Sequence, residues 1–220
     1  MGQKVNAHGL RVGINKGWRS SWFGDKKNYA NWLVEDSRIR EAITKIAGKK
    51  NISEILIERI DDCPNIVVMT AMPGLVLKKN GEGLESIKKE LTQNLKLKKY
   101  NVEIQEVENL NLDAQSVASS VAEQIENRVS HRVAQKKAIA NVMGAGALGI
   151  KIKVSGRLGG VDMAREEGYT RGKVPMQTLR GQISYGFAEA KTKYGQVGVK
   201  VWIYTGDSLK KQEEENNVNA

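Results

Sequence analysis

The chain has 220 residues, with 35 Lys and Arg against 25 Asp and Glu, a net charge of +10. Its 40% hydrophobic and 27% charged content is ordinary for a globular protein with room for one or two cores, which argues against a fibrous or low-complexity chain. A single cysteine, Cys63, and two histidines, His8 and His131, exclude an intrachain disulfide, a cysteine-rich metal site and a three-histidine zinc site.

Met1 to Lys27 holds five glycines, several cations and the aromatics Trp18, Trp22 and Phe23 without sustained periodicity, and is expected to be an extended arm. Its aromatics would either stack on bases or pack on the body of the protein. Asn28 to Ala47 reads as a helix with Leu33, Ile39, Ile43 and Ile46 inward and Gly48 as its stop. A strand is expected over Ile52 to Ile60, a turn over Asp61 to Pro64, and a second strand over Asn65 to Ala71. Pro73 suits a first helical turn, and the basic loop Lys78-Lys79-Asn80-Gly81 follows it. Leu84, Ile87, Leu91 and Leu95 then recur on one helical face, flanked by Lys88, Lys89 and Lys96. Ammonium groups at the start of a helix, beside its unpaired N–H groups, attract phosphate in two ways at once. Tyr100 to Val107 closes this unit as an alternating strand.

Asp113 is a candidate N-cap for a long helix running toward Gly144, with Val117, Val121, Ile125, Val129 and Val133 as its core stripe and Arg128, Arg132 and Lys136 beside it. No acidic residue follows Glu126 in that helix, so these cations, joined by Lys137, should face an anion. Ile150 to Val154 alternates apolar and basic residues, as a strand with Lys151 and Lys153 on one face, and Arg157 lies in the turn after it. Further strands are expected around Thr170 to Val174 and Gln182 to Tyr204, the latter with a hairpin tip at Tyr194 to Gln196. Asp207 to Ala220 should be a disordered acidic tail.

Residues 128–200 hold fourteen Lys and Arg against four Asp and Glu, so the whole net charge is concentrated there. A continuous cationic surface with a polyanionic partner, RNA foremost, is the expectation. Neither an apolar signal-peptide core nor a run of membrane-span length occurs, which makes the cytoplasm the expected location. Gly144-Ala-Gly146-Ala-Leu-Gly149 satisfies the dinucleotide-binding spacing, but a helix precedes it and a strand follows, the reverse of what a pyrophosphate needs. No Walker loop, nucleophile elbow or acid–base pair appears, so neither enzyme chemistry nor a cofactor, a metal or a small-molecule substrate is expected.

The order helix, strand, strand, Pro-Gly turn, basic loop, helix, strand resembles a type II KH domain, whose loop grips single-stranded nucleic acid. Gly149-Ile-Lys-Ile-Lys-Val-Ser-Gly-Arg-Leu-Gly-Gly160, Arg171-Gly-Lys-Val-Pro175, Gly198-Val-Lys-Val-Trp-Ile203 and Met1-Gly-Gln-Lys-Val-Asn6 sharpen the resemblance. Together they are similar to the family of the third protein of the bacterial small ribosomal subunit, from Met1 to about Gly206. The resemblance implies an α+β chain: a basic arm over residues 1–27, a type II KH domain over 28–108 with helices on one face of a three-stranded mixed sheet, a C-terminal α/β domain over 109–206 with a mostly antiparallel sheet, and the tail over 207–220. It also implies contacts with 16S ribosomal RNA, with messenger RNA where it enters the subunit, and with the head proteins numbered ten and fourteen. The RNA contacts it implies are Lys4, His8, Arg11 and Lys16 in the arm, Lys78, Lys79, Asn80, Gly81 and Lys88 around the KH loop, and Arg128, Arg132, Lys136 and Lys137 on the basic helix. Lys151, Lys153, Arg157, Arg165, Arg171, Lys173 and Arg180 complete the set on the strands and turns. The chain departs from the family pattern in three places: Lys78 stands for the loop's first glycine, Val133 for an arginine, and Ala7 for a proline. The alternative is a free-standing KH regulator of RNA, which would be a self-contained monomer with sequence preference.

Overall fold

A computed structural model of the chain describes residues 5–48, 51–60, 63–77, 81–95 and 100–207. Lys4, Lys78, Lys79, Asn80 and all of the tail beyond Asp207 lie outside the described residues. Two compact units result, one from Trp18–Glu108 and one from Met1–Gly17 with Asn109–Ala220. The division differs from the four segments expected, because the N-terminal stretch belongs with the C-terminal half.

The Trp18–Glu108 unit contains β1 (Ser20–Ser21), α1 (Tyr29–Ala47), β2 (Ile52–Ile60), β3 (Cys63–Thr70), α2 (Pro73–Leu77), α3 (Glu82–Leu95) and β4 (Asn101–Glu106). Its sheet runs β1-β2-β3-β4, with β2 antiparallel to β3 and β3 parallel to β4. Three long strands in mixed order match the KH expectation, and the two residues of β1 add a short fourth strand parallel to β2. The pleat sends Ile55, Ile57, Ile66, Val68 and Val102 to one face, where Ile39 and Ile43 of α1, Val76 of α2 and Ile87 and Leu91 of α3 cover them. Leu33, expected inside, is 52% exposed, and the acid Asp36 takes the inward place one turn on. Pro64 lies within β3 opposite Arg59, not in a turn, so the strand begins two residues before the expected Asn65.

Arg59 explains the buried acid. Its side chain is 1% exposed, and its Nη2 lies 2.6 Å from Asp36 Oδ1 while Nη1 reaches Glu35 Oε2 at 3.0 Å. Trp22 donates its indole N–H to Asp36 Oδ2 at 2.8 Å, and the guanidinium stacks 5.5 Å from the Trp32 ring centroid. Trp22 is therefore fastened to α1 and is not displayed for bases, whereas Trp18 and Phe23 are exposed.

The other unit contains α4 (Ala114–Glu126), α5 (His131–Gly144), β5 (Gly149–Gly156), β6 (Arg165–Gly172), β7 (Gly181–Thr192) and β8 (Gly195–Asp207), in a wholly antiparallel sheet of order β6-β5-β8-β7. Ile150, Ile152 and Val154 of β5 and Val197, Val199, Val201 and Ile203 of β8 form its apolar face, packed against α4 and α5. At Gly186 a side chain has no room: a Cβ there would sit 2.1 Å from the Ala114 carbonyl oxygen, which lets the start of α4 rest directly on β7. Asp113 caps α4 as expected, accepting from the amides of Gln115 and Ser116.

The single long helix expected from Asp113 to Gly144 is two helices. The chain turns between them through Arg128, whose φ of 64° makes it the one non-glycine residue with positive φ among those described. Val129 and Val133 consequently leave the core stripe and are 39% and 57% exposed. β6 starts at Arg165, five residues before the expected Thr170, and Asp207 ends β8 opposite Gly181 instead of opening the tail. α5 ends at Gly144 and β5 begins at Gly149, the helix-then-strand order that argues against dinucleotide binding.

Candidate nucleic-acid interface

Strand alternation decides where the cations go. Ile150, Ile152 and Val154 point to the helices, so Lys151 and Lys153 point the other way, joined across the register by Lys200 and Trp202 of β8. Arg165, Glu167, Tyr169 and Arg171 of β6 oppose Gly156, Val154, Ile152 and Ile150, which places them on the helix side of the sheet beside α5. The fourteen cations therefore do not form the one continuous surface expected from their clustering in sequence. Those on the strands divide between the two faces of the sheet, because a period of two separates neighbours that a count along the chain lumps together, and the rest lie on α5 and in the turns.

On the helix side, Glu167 organises the group. Its carboxylate lies 2.9 Å from His131 Nε2, 3.2 Å from Arg132 Nε and 3.0 Å from Arg165 Nε. Hydrogen bonds from Arg132 and then His131 hold its pKa down to about 2, and the same bond raises that of Arg132. The absence of an acid in the helix after Glu126 thus misleads, since the neutralising carboxylate arrives from β6. One carboxylate nevertheless faces several cations: Lys136 sits 6.0 Å from the Tyr169 ring centroid, and Lys137 and Arg171 are exposed nearby on α5 and β6. A surplus of positive charge remains on rigid elements. Because the folded pKa of Glu167 is depressed, its contribution to stability is present above the ordinary carboxylate range and is lost as pH falls toward 2.

Glu167→Gln should release Arg132 and Arg165 and tighten binding of a single-stranded RNA several-fold at low salt, with a steeper salt dependence. Fluorescence anisotropy against a labelled oligonucleotide over a salt series checks this.

On the opposite face, Lys151 lies 5.8 Å from the Trp202 ring centroid, Tyr185 and Trp202 are 5.5 Å apart, and Lys153 pairs with Glu166. At the edges, Arg157 is spent on Asp162 at 2.7 Å and the Val161 carbonyl at 2.9 Å, and Arg180 meets Asp207 at 3.1 Å. Lys173 is exposed just beyond β6. In the other unit Gly81 precedes α3 with a φ of 79°, and Lys88 is exposed along that helix.

Arg11 is a correction. Expected to meet RNA, it is 0% exposed, and its guanidinium donates to the carbonyls of Gly181 at 2.8 Å, Thr178 at 2.7 Å, Ala7 at 3.0 Å, Met176 at 3.2 Å and Pro175 at 3.4 Å. It fastens the N-terminal stretch, which is a series of turns and not an extended arm, to the loop before β7. His8 and Lys16 lie half-buried in those turns. Glu167 and Tyr169 stand among the helix-side cations and Lys200 beside Lys153 on the other face, and none of the three is singled out by the sequence pattern; the acid and the ring recur two residues apart in β6, a strand period that placing the strand five residues late conceals. Among the described residues no group of His, Cys, Asp and Glu could hold a metal ion, and no helix is long and apolar enough to cross a membrane.

Two family profiles match the chain: one described as "KH domain" over residues 38–112, and one described as "Ribosomal protein S3, C-terminal domain" over residues 121–203. Small ribosomal subunit protein uS3 of Finegoldia magna is 50% identical over 216 residues, covering 98% of this chain and 88% of the relative. The uS3 of Desulforamulus reducens is 48% identical over 209 residues, covering 95% and 94%. That of Clostridium beijerinckii is 46% identical over 221 residues and spans both chains completely.

Proposed function

This chain belongs to the family of small ribosomal subunit protein uS3, and from that premise we propose that it docks on the 16S ribosomal RNA of the subunit head and helps hold messenger RNA where it enters. Family membership makes it a structural, RNA-binding component of the ribosome and not an enzyme. The head proteins numbered ten and fourteen are its proposed protein neighbours.

The observation that carries the messenger reading is the cluster around Glu167. Arg132 and Lys136, one turn apart on α5, lie beside Glu167 and Tyr169 of β6, with Lys137 exposed further round the helix and Arg165 and Arg171 on β6 itself, all on regular elements with Glu167 as the carboxylate among them. Phosphates attract such a cluster whatever bases they carry, which suits a site that every transcript passes. Val133 is exposed between the cations and adds no charge, so this cluster holds a strand less firmly than one with arginine there.

Small subunits carrying Arg132→Ala together with Lys136→Ala should bind messenger more weakly across sequences, and the salt slope should fall by about one per lost phosphate contact. Filter binding of unstructured messengers at several salt concentrations measures both. An unchanged slope would refute the assignment of these two side chains.

A further inference from the structure

The C-terminal unit has a cleft of about 650 Å³ where the α4–α5 turn, the loop after β5 and the β7–β8 hairpin meet. Its apolar lining includes Leu158 and Val197, 2% and 3% exposed, and its rim carries Arg128, His131, Lys191 and Lys193. Glu126 is the acid of the lining, and its Oε1 accepts the Lys191 backbone amide at 3.0 Å. A concavity of this size with an apolar base and a cationic rim fits a flat heterocycle joined to a phosphate.

The hairpin supplies the flat surface. Tyr194 is 58% exposed at the tip, yet its ring is braced from below. A Cβ on Gly160 would come within 2.9 Å of Cδ2 and Cε2, so the glycine backbone buttresses that side of the ring. Arg157 adds its guanidinium 5.8 Å from the ring centroid and donates to the Tyr194 carbonyl at 3.3 Å, while its ties to Asp162 and Val161 hold it in place. Thr192 closes the tip by donating to the Gly195 carbonyl at 2.7 Å. An exposed aromatic ring held rigidly on one side costs little entropy when a second ring stacks on the other. Gly159 and Gly160, with φ of 73° and 83°, line the same cavity as Arg128, whose positive φ ends α4 in a left-handed turn as the Val129 N–H donates to the Gln124 carbonyl at 2.9 Å.

We propose that this cleft receives one nucleotide of a single-stranded RNA, its base stacked on Tyr194 and its phosphate held by the rim cations. The inference rests on the proposed function, since His131 belongs both to the cleft and to the Glu167 cluster and would pass the strand from one to the other.

The test uses the full chain and a decauridylate bearing one 2-aminopurine, whose fluorescence is quenched on stacking. Wild type should bind and quench. Tyr194→Ala should bind about tenfold more weakly and lose the quench, and Tyr194→Phe should keep both, because the ring and not the hydroxyl is the platform. Arg132→Ala with Lys136→Ala should lower the salt slope and leave the quench at saturation intact. Unchanged affinity and quench in Tyr194→Ala would overturn the cleft while leaving the phosphate cluster standing, and an unchanged slope in the double variant would do the reverse. A wild-type chain that fails to bind would overturn both. Equal affinity for 2-aminopurine riboside monophosphate alone would also overturn the proposal, by making the ligand a free nucleotide instead of a strand.

Discussion

Arg59→Ala should destabilise the KH unit by about 3–5 kcal/mol, the largest loss expected of any single change in this chain. The side chain is 1% exposed and Asp36 5%, so truncation leaves a carboxylate in the interior with the Trp22 indole N–H as its remaining close donor. Asp36→Ala should cost less, because the guanidinium between the rings of Trp22 and Trp32 keeps Glu35 Oε2 at 3.0 Å from its Nη1. Removing both charges at once, as Arg59→Met with Asp36→Leu, should recover much of the loss, because neither ion is then desolvated without its partner. Urea unfolding followed by tryptophan emission reads all three variants, since Trp22 and Trp32 edge against each other at 5.6 Å beside the pair. Near-additive losses in the double variant would show that the two groups do not act together.

Arg11→Ala should cost about 3 kcal/mol or more in the other unit. Five carbonyl oxygens converge on one guanidinium, and burial lowers its pKa from the ordinary arginine value. Arg11→Lys should recover only part of the loss, since an ammonium offers three donors from a point where the planar fork offers five. Hydrogen exchange should show faster opening around residues 175–181 in both variants. The salt slope for RNA should stay as in wild type, which separates this internal role from the RNA contact that the sequence alone implied.

Local patterns were the legible part of the fold. The Ile39 and Ile43 spacing, the Asp113 cap, Pro73 at a helix start and the Ile150 to Val154 alternation each act within a few residues, and each was read correctly. What escaped reading depends on distant partners. Leu33 and Asp36 trade places because Arg59, more than twenty residues on, needs a carboxylate. The helix break at Arg128 carries no proline or glycine to announce it, and a valine stripe at four-residue spacing continues through it in the sequence although not in space. The cationic site was half legible: Arg132 and Lys136 could be chosen from their helical spacing, but the carboxylate that meets Arg132 comes from a strand 35 residues later. Arg11 looked like any other cation in a glycine-rich segment, and only its burial tells it apart.

The first seventeen residues and the last hundred or so close one body around an inserted KH unit, and this governs the order of events as the chain leaves the ribosome that makes it. The inserted unit has every strand and helix it needs once Glu108 has emerged, so it can condense first. Arg11 must wait for the carbonyls of residues 175–181, with well over a hundred residues synthesised in between. Throughout that interval the N-terminal stretch is an uncommitted cationic segment, and its docking has to follow synthesis of most of the C-terminal half.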